Sequence, residues 1–369
     1  MAIDRFLLAG PVHFPVQVRY GGGSMDELTG ILWASAPSRI ALVTDPALPG
    51  AHAARVLRLL GDAAPTGILW PGPGGDGGGR PRVRPGTVVV ALGGSRVMAA
   101  ADRILCRDGA RPAVVRLPTT LRAMADTALS VAGTSGRPAA PVLVRVQLEF
   151  LRTLPARAVR AGLSVPVRQV LAVVPASAGQ VAFRMRPDGR YDPVVLASLI
   201  ALCVQARSAL VCHDPLERGP GSALRYGDTV ARAVRGPGVE RMRYGDALAL
   251  GLRVTARAAR LEGLLSPADE AAHADLLDRA GAARTLPEGV LAQDVLGALT
   301  RGRESVDMVL LRRLGEPHAH RGRLLTPVGA DVLAAALAAV TPSTAEVLAP
   351  RDKIVFPSRG RRTSVEPVG

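Results

Sequence analysis

Apolar and polar positions follow one pattern over the first 150 residues of the chain and another beyond them. The runs RIALVTD (Arg39 to Asp45), TGILW (Thr66 to Trp70), GTVVVALGG (Gly86 to Gly94) and PAVVRLPTT (Pro112 to Thr120) are apolar at successive positions and lie ten or more residues apart. A strand covered on both faces reads as a continuous apolar run, and such spacing leaves room for a crossover, so the pattern predicts a parallel sheet. The expected fold over residues 1–150 is a doubly wound, Rossmann-like α/β domain. Its stretch PGPGGDGGGRPRVRP, Pro71 to Pro85, is too rich in Gly and Pro for a helix and predicts a surface loop.

From about Leu151 the period changes to long Ala/Leu/Arg segments at helical spacing. They are broken at Pro175 to Gly179, Gly219 to Gly221, Ser266 to Pro267 and Leu286 to Gly289. This predicts an all-α domain over 151–341. The most apolar segment, PVVLASLIALCVQA from Pro193 to Ala206, falls short of the ~20 residues that span a bilayer and predicts a buried helix. Residues 342–369 form a basic, Pro-rich tail.

Composition narrows the function classes. At 369 residues and 48% hydrophobic, the chain can form two domains sharing a cleft. The net charge of +15 comes almost wholly from arginine, with Lys353 the single lysine, and the arginines are scattered among only 3% aromatic residues. That argues against a specific nucleic-acid interface and leaves affinity for anionic or phosphorylated small molecules. Cys106, Cys203 and Cys212 have no metal-ligand spacing and cannot form an even disulfide framework, which suits a reducing cytoplasm. The opening MAIDRFLLAGPVHF lacks the apolar run and charges of a signal peptide. The expectation is a soluble cytoplasmic protein without membrane contact.

Four ordered blocks carry a resemblance: RLPTTLRAMADTALS (Arg116 to Ser130), LEFLRTLPARAVRAGL (Leu148 to Leu163), RYGDTVARA from Arg225, and YGDALALGLRVTARAARLEGL from Tyr244. Over Val16 to Val340 the chain resembles the dehydroquinate synthases and other sugar phosphate cyclases. The resemblance implies a nucleotide-binding α/β domain, a helical domain, an active site between them and a homodimer. It also implies bound NAD as a recycled oxidant and a divalent metal, usually zinc, used to turn a sugar phosphate into a carbocycle.

The metal ligands implied by the resemblance are replaced. Val165 stands at the glutamate position, Asp228 at the first histidine and Tyr244 at the second, with Asp228 and Tyr244 still 16 positions apart as in the family. A catalytic zinc needs three Cys, His or carboxylate donors, so no metal is expected here. His318 and His320 form an HAH pair and His273 lies in a helical segment, and these three are expected in exposed loops or at the surface; His13, His52 and His213 are isolated. Arg168 and Arg232 stand at a family lysine and a family histidine. Arginine keeps the charge and loses the ability to shuttle a proton.

On the nucleotide side, Asp45, Gly93, Gly94, Thr119, Thr120, Asp126 and Thr153 match positions that line the dinucleotide in the family. Against them, GGSRVMAAAD has Met98 at the later glycine and Ala99 at the following aspartate. A methionine in that turn would obstruct the pyrophosphate, so no cofactor is expected, neither NAD nor zinc.

The candidate catalytic residues are Asp126, Arg168, Asp228, Arg232 and Tyr244. Asp126 reads either as a general base or substrate acceptor, or as a helix cap or buried carboxylate. Asp228, Arg232 and Tyr244 read either as a polar constellation that moves one proton, or as a packed site with Asp228 and Arg232 in an ordinary i, i+4 ion pair. Arg107, Arg207 and Arg225 are the candidate substrate-binding residues. The apolar replacements Val165, Met98, Ala99 and Ala132 suggest a pocket for a bulkier, less charged molecule. Three functions follow: a metal- and NAD-independent cyclase or rearrangement enzyme of specialised metabolism, a non-catalytic scaffold partner, or a surviving sugar phosphate cyclase.

Overall fold

The computed structural model describes residues 1–21, 24–70, 83–105, 112–132, 140–236 and 242–341. Most of the predicted loop at Pro71 to Pro85, the tail from Pro342 and Arg107 lie outside the described residues.

Strand β1 (Ala2–Ala9) pairs with β2 (Val12–Arg19) as an antiparallel hairpin. Strands β3 (Arg39–Thr44), β4 (Thr66–Leu69), β5 (Thr87–Gly93), β6 (Val114–Pro118) and β7 (Leu143–Gln147) complete one sheet. Its order is β1-β2-β7-β6-β5-β3-β4, parallel from β2 onward. Every residue of β5, β6 and β7 is buried, which is why their sequences show no alternation. Helices α1 (Glu27–Ala34), α2 (Gly50–Ala63), α3 (Ser95–Leu105) and α4 (Leu121–Ala125) belong to this half. The register places Gly93 beside Pro118 and Thr44 beside Leu92, so β3, β5 and β6 end at one edge of the sheet. In open α/β sheets ligands bind beyond such carboxyl ends.

The helical half holds α5 (Ala156–Ala172), α6 (Ala178–Arg184), α7 (Pro193–Val211), α8 (Asp228–Val234), α9 (Tyr244–Leu261), α10 (Pro267–Arg279), α11 (Ala292–Thr300) and α12 (Ala330–Leu337). Asp192 and Ser266 cap α7 and α10 with a proline at the first helical position, the combination that satisfies orphan amides and presets φ. Helix α7 contains the predicted apolar segment. It is the one helix among the described residues long and apolar enough to cross a bilayer, and it packs on β1 and α5, as a core helix does.

This half is not purely helical. Strands β8 (Ser305–Met308) and β11 (Thr326–Gly329) form one small antiparallel sheet, and β9 (Leu311–Arg313) and β10 (Glu316–Pro317) another. His273, expected at the surface, is buried, with its ring 2.9 Å from the Tyr226 hydroxyl and 2.7 Å from the Asp269 carbonyl.

Candidate functional site

A cleft of about 510 Å³ opens at the carboxyl edge of the sheet. Its floor is the turn from β5 into α3, Gly93-Gly94-Ser95, faced by Thr119, Thr120 and Asp45. Thr120 caps α4 by accepting a hydrogen bond from the Ala123 amide, and the Thr119 amide donates to the Gly93 carbonyl at 2.9 Å. Asp45 accepts from the Ala47 amide at 2.9 Å and from Arg96 at 3.1 Å. A glycine turn leading into a helix N-terminus suits a pyrophosphate, because nothing projects between the ligand and the backbone amides.

Met98 does not obstruct that turn. Its side chain is fully buried in the hydrophobic core and lines neither cavity of the site. The expectation of a blocked nucleotide site is therefore corrected, and the residues present fit a dinucleotide. Thr153 is not in the cleft wall. Its hydroxyl lies 2.9 Å from His52 Nε2 and donates to the Phe150 carbonyl, while the neighbouring Leu154 lines the cleft.

A second cavity of about 300 Å³ adjoins the cleft, and Arg122 and Tyr244 line both. Two glycines let its helices come together. Gly227 precedes α8 at φ +80°, and a Cβ there would meet Leu252 of α9 at 3.0 Å. A Cβ on Gly245 would fall 1.7 Å from the Ala161 carbonyl oxygen of α5, so only glycine permits the α5–α9 approach. With these contacts made, Asp228, Tyr244 and Arg168 meet.

Arg168, almost wholly buried on α5, donates to Asp228 at 3.0 Å and pairs with Asp126 at 3.1 Å. Asp126 also takes Arg207 at 2.5 Å, Arg207 pairs with Glu217, and Arg225 donates to the Glu217 carbonyl at 2.9 Å. The Tyr244 hydroxyl donates to Asp228, and the Arg122 guanidinium stacks over the Tyr244 ring, 3.5 Å from its centroid. Five arginines (122, 168, 207, 225 and 232) thus line the cavity against the carboxylates Asp126, Glu217 and Asp228, a surplus of two positive charges.

The electrostatics follow from this packing. Burial alone would raise Asp126, but Arg168, Arg207 and Arg122 outweigh it and hold the carboxyl at about 2. Burial opposes the charge on Arg168, yet Asp126 and Asp228 push its pKa above the ordinary arginine value. Burial, reinforced by Asp228, raises the Tyr244 phenol well above its ordinary range. At neutral pH, Asp126 is therefore an acceptor with little basicity, and Tyr244 keeps its proton.

Several expectations are refined or corrected. Asp126, Arg168, Arg207, Arg225, Asp228, Arg232 and Tyr244 share one cavity. The i, i+4 ion pair does not form: Arg232 Nε donates to the Asp228 backbone carbonyl at 3.3 Å, while the carboxylate engages Arg168 and Tyr244. The less charged pocket is not found either, since Val165 and Met98 are wholly buried and line neither cavity, and the walls are charged. Arg122 is the residue that sequence reasoning missed. Its spacing of i, i+4 to Asp126 was the available signal.

Comparison with known proteins places this geometry. The 3-dehydroquinate synthase C-terminal family matches residues 184–304. The 2-deoxy-scyllo-inosose synthase of Streptomyces kanamyceticus is 30% identical over 355 residues, covering 87% of this chain and 90% of the relative. That of Streptomyces lividus is 34% identical over 268 residues, covering 67% and 69%. A solved 2-deoxy-scyllo-inosose synthase complexed with carbaglucose-6-phosphate, NAD+ and Co2+ superposes with a TM-score of 0.80 at 22% identity, over 91% of this chain and 99% of its own. The 2-epi-5-epi-valiolone synthase of Streptomyces hygroscopicus subsp. jinggangensis 5008, with NAD+ and Zn2+ bound, gives 0.69 at 18% identity over 91% and 99%.

These complexes overturn the expectation that no cofactor is used, because the two synthases of this fold carry both NAD+ and a metal ion. In this chain the cleft fits the dinucleotide. The metal donors do not match: Val165 offers none, Asp228 is paired with Arg168, and no cluster of three or more His, Cys, Asp or Glu suited to a metal occurs among the described residues. The relatives are named as synthases, which supports the enzyme reading over the scaffold one. By its 30% identity over 90% of a relative's length, with the fold in agreement, the chain belongs to the dehydroquinate synthase-like sugar phosphate cyclases and is an enzyme of that cyclase type.

Proposed function

We propose that this enzyme cyclises a phosphorylated hexose in specialised biosynthesis, with NAD+ in the 510 Å³ cleft and the sugar phosphate in the adjoining arginine-rich cavity. The observation that carries the reading is that the two cavities meet, sharing Arg122 and Tyr244 as a common wall. A substrate in one then lies against a nicotinamide in the other. The substrate class is suggested by carbaglucose-6-phosphate, a carbocyclic copy of glucose 6-phosphate bound to the solved synthase. The surplus positive charge suits the phosphate.

Gly93, Gly94 and Ser95 would hold the pyrophosphate and Asp45 a ribose hydroxyl. Reversible hydride acceptance from a carbinol carbon is the chemistry NAD+ supplies when bound. The chain's own groups bind and orient. Arg207, Arg225 and Arg232 take the phosphate oxygens, and Asp126 and Asp228 accept from sugar hydroxyls. The Tyr244 Oη retains its proton and fixes Asp228 from below. The arginines hold charge without exchanging protons. Domain boundaries near residues 150 and 341 and a homodimeric assembly complete the proposal.

Incubating the purified enzyme with NAD+ and glucose 6-phosphate tests it. Release of inorganic phosphate together with a carbocyclic ketone is expected, since the product in the relatives' name carries no phosphate. An enzyme that binds NAD+ and releases no phosphate would overturn the substrate assignment.

A further inference from the structure

We propose that Arg122 is a substrate-binding residue whose in-plane N–H groups donate to an oxygen of the sugar phosphate where the arginine-rich cavity opens onto the nucleotide cleft. The inference rests on the cyclase reading above and assigns a contact within it. Of the five arginines in the cavity, Arg168 and Arg207 are committed to carboxylates, and Arg225 and Arg232 to backbone carbonyls. Arg122 differs from all four. Its guanidinium makes no hydrogen bond or ion pair among the described residues; a buried Nε without a partner it has in common with Arg168, Arg207 and Arg225. Its close contact is a face-on stack on the Tyr244 ring at 3.5 Å.

Stacking uses the faces of a guanidinium and leaves the donors at its edge unspent, because all five N–H groups lie in the plane. A side chain held by its face with its edge free is arranged to receive an acceptor. Tyr244 is itself held by its bond to Asp228, and the Arg235 guanidinium also lies over its ring, 5.9 Å from the centroid, so the platform under Arg122 is fixed at its hydroxyl end. Arg122 also lines both cavities, which puts its free edge at the boundary that any substrate oxidised by the nicotinamide must reach. Burial lowers the pKa of this guanidinium, against the opposing pull of Asp126, Tyr244 and Asp228, so an oxygen bearing negative charge would restore what burial removes.

The test is calorimetric titration of carbaglucose-6-phosphate into enzyme saturated with NAD+, for wild type, Arg122→Met and Arg122→Lys. Arg122→Met keeps an apolar contact with the Tyr244 ring and removes the donors. Affinity for the analogue should fall about 10- to 100-fold, the usual effect of losing a hydrogen bond to a charged group. Arg122→Lys keeps the charge without the planar fork and should lie between the two. The NAD+ dissociation constant should stay within about threefold of wild type in both variants, because the dinucleotide rests on backbone. A merely structural role would lower the melting temperature and weaken both ligands together, and that result would overturn the assignment. So would analogue binding at wild-type strength in either variant with normal NAD+ binding. A wild-type enzyme that binds NAD+ but not the analogue would instead overturn the sugar phosphate reading, and the assignment with it.

Discussion

The nucleotide cleft and the arginine-rich cavity share a wall and are built of different materials. The cleft is shaped by backbone: a glycine turn after β5, a helix start, and a threonine cap at α4. The cavity is shaped by charged side chains that bind one another, Asp126 at the end of α4 with Arg168 of α5, Arg207 of α7 and Asp228 of α8. A site made of backbone amides tolerates replacement of surrounding side chains, provided these turn into the core. A site made of side chains changes its chemistry with each substitution. That difference explains how one chain keeps a cleft suited to a dinucleotide while carrying valine, aspartate and tyrosine at the positions where the family resemblance places metal ligands.

Removing Arg168 should break the cavity most severely. The Arg168 guanidinium is buried between Asp126 and Asp228, and losing it leaves Asp228 without an ion-pair partner and Asp126 with Arg207 alone. Arg168→Met is expected to cost about 3–5 kcal/mol in urea unfolding. Folded Arg168→Met should bind NAD+ as wild type does, because the cleft draws nothing from Arg168. Loss of NAD+ affinity without loss of stability would show that the two cavities are one electrostatic unit and that the contrast between them is wrong.

A smaller effect should appear in acid. Asp126 is held at about 2 in the folded chain against an ordinary 3.8, so the unfolded chain binds the proton more readily. The stabilisation is fully present above pH 3.8 and is lost as pH falls through about 2. It amounts to about 2 kcal/mol. Unfolding of wild type and Asp126→Asn followed between neutral pH and pH 2 should show that slope in the wild type alone. Parallel curves would mean that Arg168 and Arg207 do not hold the charge.

How much of this could be read from the sequence depended on what each residue faces. The strands at Arg39–Thr44, Thr87–Gly93 and Val114–Pro118 were legible because burial leaves mostly apolar runs, and the part-exposed edge strand Thr66–Leu69 was legible as a short β-rich run. Strand β7 was not singled out. Its LVRVQ sets Arg145, fully buried on Gln17, Glu27 and the Ser24 carbonyl, inside an apolar run just as VVRLP of β6 sets Arg116, so the arginine alone does not explain why β7 went unread. The cavity residues were found through spacing, since Asp228 and Tyr244 keep their interval whatever their chemistry. Their partners were not legible: Asp228 has Arg232 four residues away in sequence and Arg168 sixty residues away in the fold, and Gly245 decides for the second by letting α5 and α9 touch. Arg122 escaped because nothing in one sequence shows that an arginine will lie on a tyrosine more than a hundred residues distant.

The smallest expected effect tests the contrast at its sharpest point. Met98 sits in the glycine-turn segment by sequence and in the hydrophobic core by structure. Met98→Leu conserves volume, so a core position should lose less than about 1.5 kcal/mol in urea unfolding. The NAD+ dissociation constant should not move, because a side chain buried in the core and absent from the cleft wall does not meet the ligand. Were Met98 instead beside the pyrophosphate, exchanging a flexible thioether for a stiff branched side chain would change the space beside the glycine turn, and NAD+ affinity would respond. A tenfold shift in that constant with unchanged stability would mean that side chains, and not backbone, govern the cleft. An unchanged constant with a modest loss of stability would place residue 98 with the sheet and leave Gly93 and Gly94 as the surface the dinucleotide meets.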